Sequence, residues 1–359
     1  MPVITRASGY CLAAANSPLE PREIDLPEPS GEEVIIEVAG CGICHTDIGF
    51  ARQGIPTRHP LPLILGHEIS GRVVAAGDAA RGWLGQSVIV PAVIPCGKCT
   101  ACRAGRPTIC RAQFMPGNDG DGGFATHVRV PSRGLCAVPD NLPAALTLDR
   151  LSVVADAVTT PYEAIRRAGL SADDVAVVVG AGGLGGFAVQ IAAALGAAVA
   201  AIDIDAARLE LASRYGASLV LNAAAESEKG IKSAVRSFVN LSGRAGIGLK
   251  IFEMSGTVAG QATAFALLDY GAHLAVVGFT VQKLELRLSN LMAFDATAGG
   301  NWGCPPEQYP HALQLVLDGK VQLEPFIERH PLDNAAEIFE AVARHELKRR
   351  VILVPGRFL

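Results

Sequence analysis

The chain has 359 residues, half of them apolar, and a formal net charge of −4. At roughly 100–200 residues per domain, this length predicts two domains with sizeable cores. No long run of one charge sign marks a surface for nucleic acid or anionic membrane, so neither partner is expected. Residues 1–31 lack the basic head and unbroken apolar core of a signal peptide, and no apolar run is long enough to cross a bilayer. We therefore expect a globular, cytoplasmic protein.

The first motifs lie in two strand-and-loop units. EEVIIEVAGCGICHTD predicts a strand that runs into a turn, and LILGHEISGRVVAAG predicts a second loop and strand. CGICH alone matches C-x-x-C-H, the attachment pattern for haem c, but that attachment ordinarily follows export, and no export signal is seen. GHEIS is not the zinc-protease motif H-E-x-x-H, because position 71 is Gly. Cys44, His67 and Glu68 remain as candidates to meet in space.

A cysteine-rich segment, CGKCTACRAGRPTIC, follows at residues 96–110. Cysteines separated by two residues can bind the same metal ion through their thiolates. The longer, seven-residue gap before the last cysteine lets the chain fold back, so that a fourth thiolate completes a tetrahedral sulfur shell. Gly, Lys, Arg and Pro fill the segment, as suits a surface lobe and not a core of free thiols. The pattern predicts a structural zinc site, because four protein ligands leave no position open. The four predicted ligands are Cys96, Cys99, Cys102 and Cys110.

The second half of the chain opens with DVAVVVGAGGLGGFAVQIAAALGA, a predicted strand, tight turn and helix. Its glycines have G-x-G-x-x-G spacing, which lets backbone approach a pyrophosphate at the helix N-terminus. A second strand, AAVAAID, ends on Asp203, where an acid can accept both ribose hydroxyls of NAD and repel the 2′-phosphate of NADP. Further strands, LKIFEMSG and HLAVVGF, continue the alternating pattern. The predicted cofactor is NAD, although Arg208 lies close to Asp203 in sequence. The residues of this motif predicted to bind the cofactor are Gly180, Gly182, Gly183, Gly185, Asp203 and Arg208.

These motifs together resemble the zinc-dependent medium-chain alcohol dehydrogenases over essentially the whole chain. GCGICHTD, GHE, the four-cysteine lobe and GAGGLG occur in that family's order and spacing. The resemblance implies an α/β plus β fold, with a chaperonin-10-like (GroES-like) catalytic domain and a doubly wound Rossmann domain for NAD. The implied limits are 1–157 for the catalytic domain with its zinc lobe at 96–110, 158–301 for the Rossmann domain, and 302–359 for a C-terminal return to the catalytic domain.

The resemblance also implies a second, catalytic zinc. Its ligands would be Cys44, His67 and Asp156, where many relatives have a Cys in place of the Asp, and a carboxylate is an acceptable zinc ligand. Glu68 would lie beside the metal, Asp47 would hydrogen-bond His67, and Thr46 would receive the proton of the bound alcohol. Further matched positions imply pyrophosphate contacts for His45 and Arg350 and nicotinamide contacts for Thr160 and Leu184.

The usual proton relay is incomplete in this sequence. Many relatives have a His five residues after the zinc-binding Cys, and here that position is Gly49. The proton must leave by another route, and His59 is a speculative candidate for it. The other cysteines, Cys11, Cys41, Cys136 and Cys304, have no ligand spacing and are interpreted as packed thiols.

A narrower resemblance concerns the substrate. Residues 1–40 and the run FMPGNDGDGGFATHVRVP resemble the 6-hydroxycyclohex-1-ene-1-carbonyl-CoA dehydrogenases of anaerobic benzoyl-CoA degradation. This implies oxidation of the ring alcohol to 6-oxocyclohex-1-ene-1-carbonyl-CoA, and the same site could add water to the conjugated alkene. Arg52 and Arg58 would be possible partners for the CoA phosphates, although solvated loop charges are the simpler interpretation.

Two other functions stay open. An NAD-dependent dehydrogenase of a simple secondary alcohol or polyol would share every motif and differ only in its pocket. A zinc- and NAD-binding protein without turnover would be expected to show damaged catalytic positions, and these are intact. The family resemblance further implies a homodimer or homotetramer acting on a small molecule.

Overall fold

The computed structural model describes residues 5–244 and 248–356; residues 1–4, the start of the narrower motif, lie outside the described residues. The strands are β1 Arg6–Leu12, β2 Leu19–Asp25, β3 Glu33–Gly42, β4 Leu63–Ile64, β5 Glu68–Ala76, β6 Ser87–Val90, β7 His127–Pro131, β8 Cys136–Ala137, β9 Val175–Val179, β10 Ala198–Asp203, β11 Leu219–Asn222, β12 Lys250–Glu253, β13 His273–Val276, β14 Thr297–Gly300, β15 Ile327–Pro331 and β16 Arg350–Val354. The α-helices are α1 His45–Arg52, α2 Thr100–Arg103, α3 Thr159–Arg167, α4 Gly185–Ala194, α5 Ala206–Arg214, α6 Glu228–Leu241, α7 Val258–Ala266, α8 Ser289–Ala293, α9 Tyr309–Leu317 and α10 Ala335–Ala343.

The chain divides into two compact units. Unit 1 holds the described residues of Met1–Thr159, Gly303–Gln314 and Phe326–Leu359, and unit 2 holds Thr160–Trp302 and Leu315–Pro325. Residues 315–325 therefore pack with unit 2, although they lie within the segment 302–359 predicted to return to the catalytic domain. The predicted domain limits themselves stay a prediction.

Unit 1 is built on a seven-stranded sheet in which β16, β3, β5, β6 and β8 are successive antiparallel neighbours. β15 joins its edge in parallel with β16, and β7 pairs with β3. A smaller sheet orders β2, β1 and β4. Apolar side chains of β3 and β5 alternate into a core that also receives Phe124 and Phe339, which meet edge to face. This sheet carries the ends of β3 and β5, where Cys44 and His67 lie.

Unit 2 is a six-stranded parallel sheet in the order β11-β10-β9-β12-β13-β14. This is the strand order of a doubly wound dinucleotide-binding fold, whose ligand crevice lies where the order reverses, at the carboxyl ends of β9 and β12. β9 is fully buried, which explains its unbroken run of apolar residues. The predicted fold class is thus confirmed. In the part of the chain that the structure describes, no helix has the length and apolar character needed to span a membrane.

Candidate active site and metal centres

The predicted catalytic zinc ligands come together within unit 1. Ligand atoms of Cys44, His67, Glu68 and Asp156 all lie within 4.8 Å of one another. The Cys44 sulfur is 3.7 Å from Asp156 Oδ2, and His67 Nε2 is 3.8 Å from the same oxygen. A thiolate, an imidazole and carboxylates form a donor set that zinc accepts, so these residues fit the ion.

Local structure explains why Cys44 is held firmly. Cys44 is the N-cap of α1, and Asp47, the third residue of that helix, accepts the Cys44 backbone N–H at 2.9 Å. This is the reciprocal arrangement of a capping box. The segment after Cys44, which the sequence analysis interpreted as a turn, therefore starts a helix. Thr46 Oγ1 lies 3.6 Å from the Cys44 sulfur, which places the hydroxyl next to the cluster.

Asp47 also orients the histidine. Its Oδ1 is 3.2 Å from His67 Nδ1 and accepts the Gly66 N–H at 3.2 Å, and its side chain is completely buried. Because Nδ1 faces this carboxylate, Nε2 faces the cluster. A carboxylate that hydrogen-bonds the other ring nitrogen commonly orients a metal-binding histidine in this way. Burial lowers the pKa of His67, but Asp47, Asp156 and Cys44 raise it more, to well above its ordinary value. A cation entering the cluster must therefore displace a proton from His67.

Glu68 faces Arg350, the first residue of β16. Arg350 Nε donates to Glu68 Oε2 at 3.0 Å and Nη2 donates to Oε1, and both side chains are buried. Burial raises the pKa of Glu68 to about 7, against the opposing effect of the Arg350 guanidinium. The pairing partner of Glu68 lies 282 residues away in the sequence, and no motif connects the two. The predicted phosphate contact of Arg350 stays a prediction.

Close packing fixes two features of this site. A Cβ on Gly42, which pairs with Glu68 across β3 and β5, would lie 2.0 Å from Glu68 Oε2, so only glycine leaves room for the carboxylate. A Cβ on Gly49 would lie 2.7 Å from the δ-methyl of Ile55. Ile55 thus occupies the space beside the position where relatives have the relay histidine. His59 Nδ1 faces the carbonyl of Pro60 at 2.7 Å.

The structure brings the four cysteines of the predicted zinc lobe together. Its four sulfur atoms lie within 4.8 Å of one another, with Cys99 only 3.5 Å from Cys102 and 3.7 Å from Cys110. The backbone N–H of Lys98 is the main cause that lowers the pKa of Cys96 to about 6, whereas burial and hydrogen bonds to its neighbours raise that of Cys102 to about 12. A closed shell of four sulfur atoms fits zinc, which binds cysteines as thiolates.

The predicted nucleotide site lies in unit 2. Gly180 has a φ of +92°, and a Cβ there would lie 2.6 Å from Ser255, while a Cβ on Gly185 would lie 1.7 Å from the Gly180 carbonyl oxygen. Side chains at these two positions would therefore block the tight turn before α4. Gly183 and Leu184 complete the turn, with Leu184 as the helix N-cap.

Asp203 ends β10 beside this turn. Its Oδ2 accepts the Ala181 N–H at 2.7 Å and its Oδ1 accepts the Asp205 N–H at 2.9 Å. The Arg208 guanidinium lies 3.4 Å from where a Cβ on Gly182 would be, and its buried Nε has no hydrogen-bond partner within the described part of the chain. The backbone of the glycine-rich turn and the nearby guanidinium of Arg208 together fit an anionic dinucleotide.

The remaining predicted cofactor contacts lie in both units. His45 is exposed in α1 and stacks on His345, with ring centroids 5.4 Å apart. Thr160 is buried in α3, and its carbonyl accepts a hydrogen bond from Asn301 at 3.2 Å. No motif in the sequence indicates the contact between His345 and His45, just as none indicates the Glu68–Arg350 pair.

Comparisons with known proteins identify the family to which the chain belongs. Residues 30–140 match the alcohol dehydrogenase GroES-like domain, and residues 183–318 match the zinc-binding dehydrogenase family. An alcohol dehydrogenase of Rhizobium meliloti (strain 1021) is 31% identical over 94% of this chain and 95% of its own length. The chain belongs to the zinc-dependent medium-chain alcohol dehydrogenase family.

Solved structures of other medium-chain dehydrogenases have the same fold. The alcohol dehydrogenase of Aeropyrum pernix matches with a TM-score of 0.85 and 29% identity, covering 97% of this chain and 100% of that one. Galactitol-1-phosphate dehydrogenase of Escherichia coli matches with a TM-score of 0.84 and 26% identity, at the same coverage. As a member of this family, the protein is an NAD(P)-dependent zinc oxidoreductase.

Proposed function

We propose that this protein oxidises a secondary alcohol with NAD, using a zinc ion held by Cys44, His67 and Asp156. The observation that carries the proposal is the convergence of these side chains and Glu68 within 4.8 Å. Three protein ligands leave one position for a substrate oxygen, which is the mark of a catalytic zinc site.

The side chains around the cluster have distinct tasks in this proposal. Zinc, when bound, supplies a Lewis acid that lowers the pKa of a coordinated hydroxyl, and NAD supplies the hydride acceptor. Asp47 keeps the imidazole of His67 aimed at the cluster. Thr46 accepts the hydroxyl proton, because its Oγ1 lies next to the Cys44 sulfur. Ile55 fills the space beside Gly49, so the proton passes from Thr46 to solvent by a route that does not use that position.

We propose NAD as the preferred cofactor because of Asp203. Its carboxylate is fixed by the Ala181 and Asp205 N–H groups, and a fixed negative charge there repels a 2′-phosphate. Arg208 provides a cation next to Gly182, where it can contact the dinucleotide phosphates or ribose.

For the substrate we propose 6-hydroxycyclohex-1-ene-1-carbonyl-CoA, on the resemblance of residues 1–40 and of FMPGNDGDGGFATHVRVP to dehydrogenases of that thioester. The two arginines considered for the CoA phosphates already have acidic partners. Arg52 pairs with Glu340, and Arg58 Nη2 is 2.8 Å from Asp119 Oδ2. Binding of CoA therefore depends on cations elsewhere or on exchange of these pairs.

A simple secondary alcohol or a polyol is the second candidate substrate. The pairing of both loop arginines with acidic side chains favours it, since a simple alcohol or polyol needs no phosphate contact. A non-catalytic role is disfavoured, because the four cluster residues and Thr46 all retain groups suited to the chemistry.

NADH formation at 340 nm with a panel of substrates tests these alternatives. The panel contains the cyclic CoA alcohol, its free acid, simple secondary alcohols and polyols. The proposal expects kcat/KM for the CoA ester to exceed that of the free acid by at least about tenfold, about 1.4 kcal/mol in transition-state binding. Equal values for the ester and the free acid, or a faster polyol, would contradict the substrate; no turnover with any member would contradict the activity.

We also propose that the product's conjugated double bond is hydrated at the same site. Water adds its oxygen to the β-carbon and its proton to the α-carbon, so no redox partner is needed. Incubation of the purified enzyme with the 6-oxo ester in ¹⁸O-water tests this by mass spectrometry. A labelled hydrate formed no faster than without enzyme would rule the step out. The homodimer or homotetramer and the cytoplasmic location stay predictions.

A further inference from the structure

Tyr309 is a buried tyrosine that the sequence motifs do not include. It begins α9, is 1% exposed, and belongs to the part of α9 that packs in unit 1. Its hydroxyl donates to the carbonyl of Ala155 at 2.5 Å and accepts the backbone N–H of Ala92 at 3.0 Å. Burial is the main cause that raises the pKa of Tyr309 well above its ordinary value, so the hydroxyl stays a donor across the physiological range.

The carbonyl that Tyr309 contacts immediately precedes Asp156. Thr159 Oγ1 donates to the same Ala155 oxygen at 3.1 Å, so both lone pairs of this carbonyl are engaged. The 3₁₀ turn Arg150–Ala155 ends here, and Asp156 follows with φ −140° and ψ −55°, outside helical geometry. The orientation of this peptide decides where the Asp156 carboxylate points, 3.8 Å from His67 Nε2 and 3.7 Å from the Cys44 sulfur.

We propose that Tyr309 is a positioning residue for the catalytic metal: its hydroxyl fixes the Ala155 carbonyl and thereby holds Asp156 in the geometry that binds zinc. The inference rests on the proposed ligand role of Asp156. Tyr309 touches neither substrate nor cofactor in this proposal. Groups behind the ligands of a metal typically change metal affinity by 10- to 100-fold when they are removed, and Tyr309 acts through one peptide unit, so we expect the lower end, about tenfold.

Tyr309→Phe tests this, because it removes only the hydroxyl. The matched control is Tyr10→Phe, since Tyr10 donates its hydroxyl to another backbone carbonyl, that of Asp333, at 2.6 Å. The zinc-loaded proteins are mixed with a chromophoric chelator, and the release of each zinc is followed together with the melting temperature. Tyr309→Phe is expected to release one of the two ions about tenfold faster, whereas Tyr10→Phe releases both at the native rates.

Asp156→Ala identifies which release phase belongs to the catalytic ion. If Asp156→Ala leaves both phases unchanged, the ligand role of Asp156 fails and the inference fails with it. If Asp156→Ala abolishes one phase and Tyr309→Phe leaves that phase unchanged, the inference alone is overturned. Faster release of the four-cysteine ion, or the same change in Tyr10→Phe, would also overturn it. Should Tyr309→Phe not fold, Thr159→Val removes the other donor to the same carbonyl and must accelerate the same phase.

Discussion

At the scale of single residues, Asp203 uses one carboxylate for two purposes. It accepts backbone N–H groups from the glycine-rich turn and from the loop before α5, and its charge remains beside the proposed ribose site. These hydrogen bonds fix the position of the Asp203 carboxylate. The fixed position supports the proposed preference for NAD, because a carboxylate that cannot move away repels a 2′-phosphate most strongly.

Asp203→Ser is predicted to shift the cofactor preference toward NADP. Removing one charge close to a 2′-phosphate should raise the ratio of kcat/KM for NADP to that for NAD by about 10- to 100-fold. Asp205→Ser is the control, because Asp205 caps α5 through the N–H groups of Ala207 and Arg208, and Ser is an equally good N-cap. Steady-state kinetics with both cofactors measure the ratio, and an equal shift in the control would contradict the assignment.

Glu253, at the end of β12, is a second residue whose environment the motifs did not indicate. It is completely buried, and its Oε1 accepts hydrogen bonds from the Ser255 N–H, the Ser255 hydroxyl and the Gly256 N–H. Its Oε2 has no hydrogen-bond partner among the residues that the structure describes. Burial outweighs these hydrogen bonds and raises the pKa of Glu253 above its ordinary value of 4.5. The folded protein therefore holds this proton more tightly than the unfolded chain does.

The raised pKa predicts a pH dependence with a definite sign. The stability that protonated Glu253 contributes is fully present below pH 4.5 and is lost as the pH rises through the folded-state pKa. Glu253→Gln cannot ionise, so its melting temperature relative to the native protein should increase from pH 5 to pH 8. Glu210→Gln, at an exposed i,i+4 pair with Arg214, should show no such trend. A difference between Glu253→Gln and the native protein that stays constant with pH would contradict the shift.

Much of the candidate site could be predicted from residue types and spacing. Cys44, His67 and the four lobe cysteines stand in short motifs, because a ligand set on adjacent loops leaves a local pattern. Arg350 and Tyr309 reach the site from the far end of the chain, and a long-range contact leaves no spacing. The burial of Glu253 likewise depends on the neighbouring strands of the sheet, which the sequence of β12 alone does not reveal.

At the scale of elements, the four-cysteine lobe contrasts with the sheets. α2 has only four residues, none of them buried, so apolar packing contributes little to its stability. The sulfur cluster is therefore the main source of order in this segment when zinc is bound. The two parallel strands β9 and β10, by comparison, are held by backbone pairing and by the core of unit 2.

Cys110→Ser is predicted to lower the zinc content from two ions per chain to one, in line with the two ligand clusters. Loss of a metal that orders its segment should lower the melting temperature by about 5 °C or more. Cys136→Ser provides the comparison, because Cys136 is equally buried in β8 but lies outside both clusters. Metal analysis and thermal unfolding give the two readouts; two ions per chain in Cys110→Ser would exclude a role for this cysteine as a ligand.

The elements differ in how clearly the sequence marks them. Apolar runs that border a glycine motif predict β9 and β10. The long run EEVIIEVAG predicts β3. β4 and β8 have two residues each, too few for any periodicity, and exist only because a neighbouring strand pairs with them. The sequence predicts only a turn after β3, whereas α1 begins there, with Asp47 accepting the backbone N–H of Cys44 at its N-terminus.

At the scale of the whole molecule, unit 1 is assembled from three separate stretches of chain. The C-terminal strand β16 pairs with β3 at Gly42 and Cys41, directly before Cys44, the proposed zinc ligand. It thereby places Arg350 against Glu68, with both side chains almost fully excluded from solvent. The metal cluster therefore depends on a long-range ion pair as well as on its own ligands.

Arg350→Met is predicted to destabilise the protein by about 3–5 kcal/mol, because it leaves the charge of Glu68 buried without a partner. The double variant Glu68→Gln, Arg350→Met should be more stable than Arg350→Met alone, since both charges are then removed. Urea unfolding of the two variants and the native protein measures the difference. A double variant less stable than Arg350→Met would show that the pair does not act as a unit.

Because the two residues of this pair are far apart in the sequence, the two metal sites can form at different stages of synthesis. The four-cysteine lobe is complete once residue 110 has left the ribosome, so it can capture zinc while the chain is still growing. The partner of Glu68, Arg350, lies 282 residues further along the chain and is synthesised much later. Until that residue arrives, the carboxylate of Glu68 lacks the guanidinium that pairs with it in the folded protein. The Glu68–Arg350 pair therefore forms only when synthesis of the chain is almost complete.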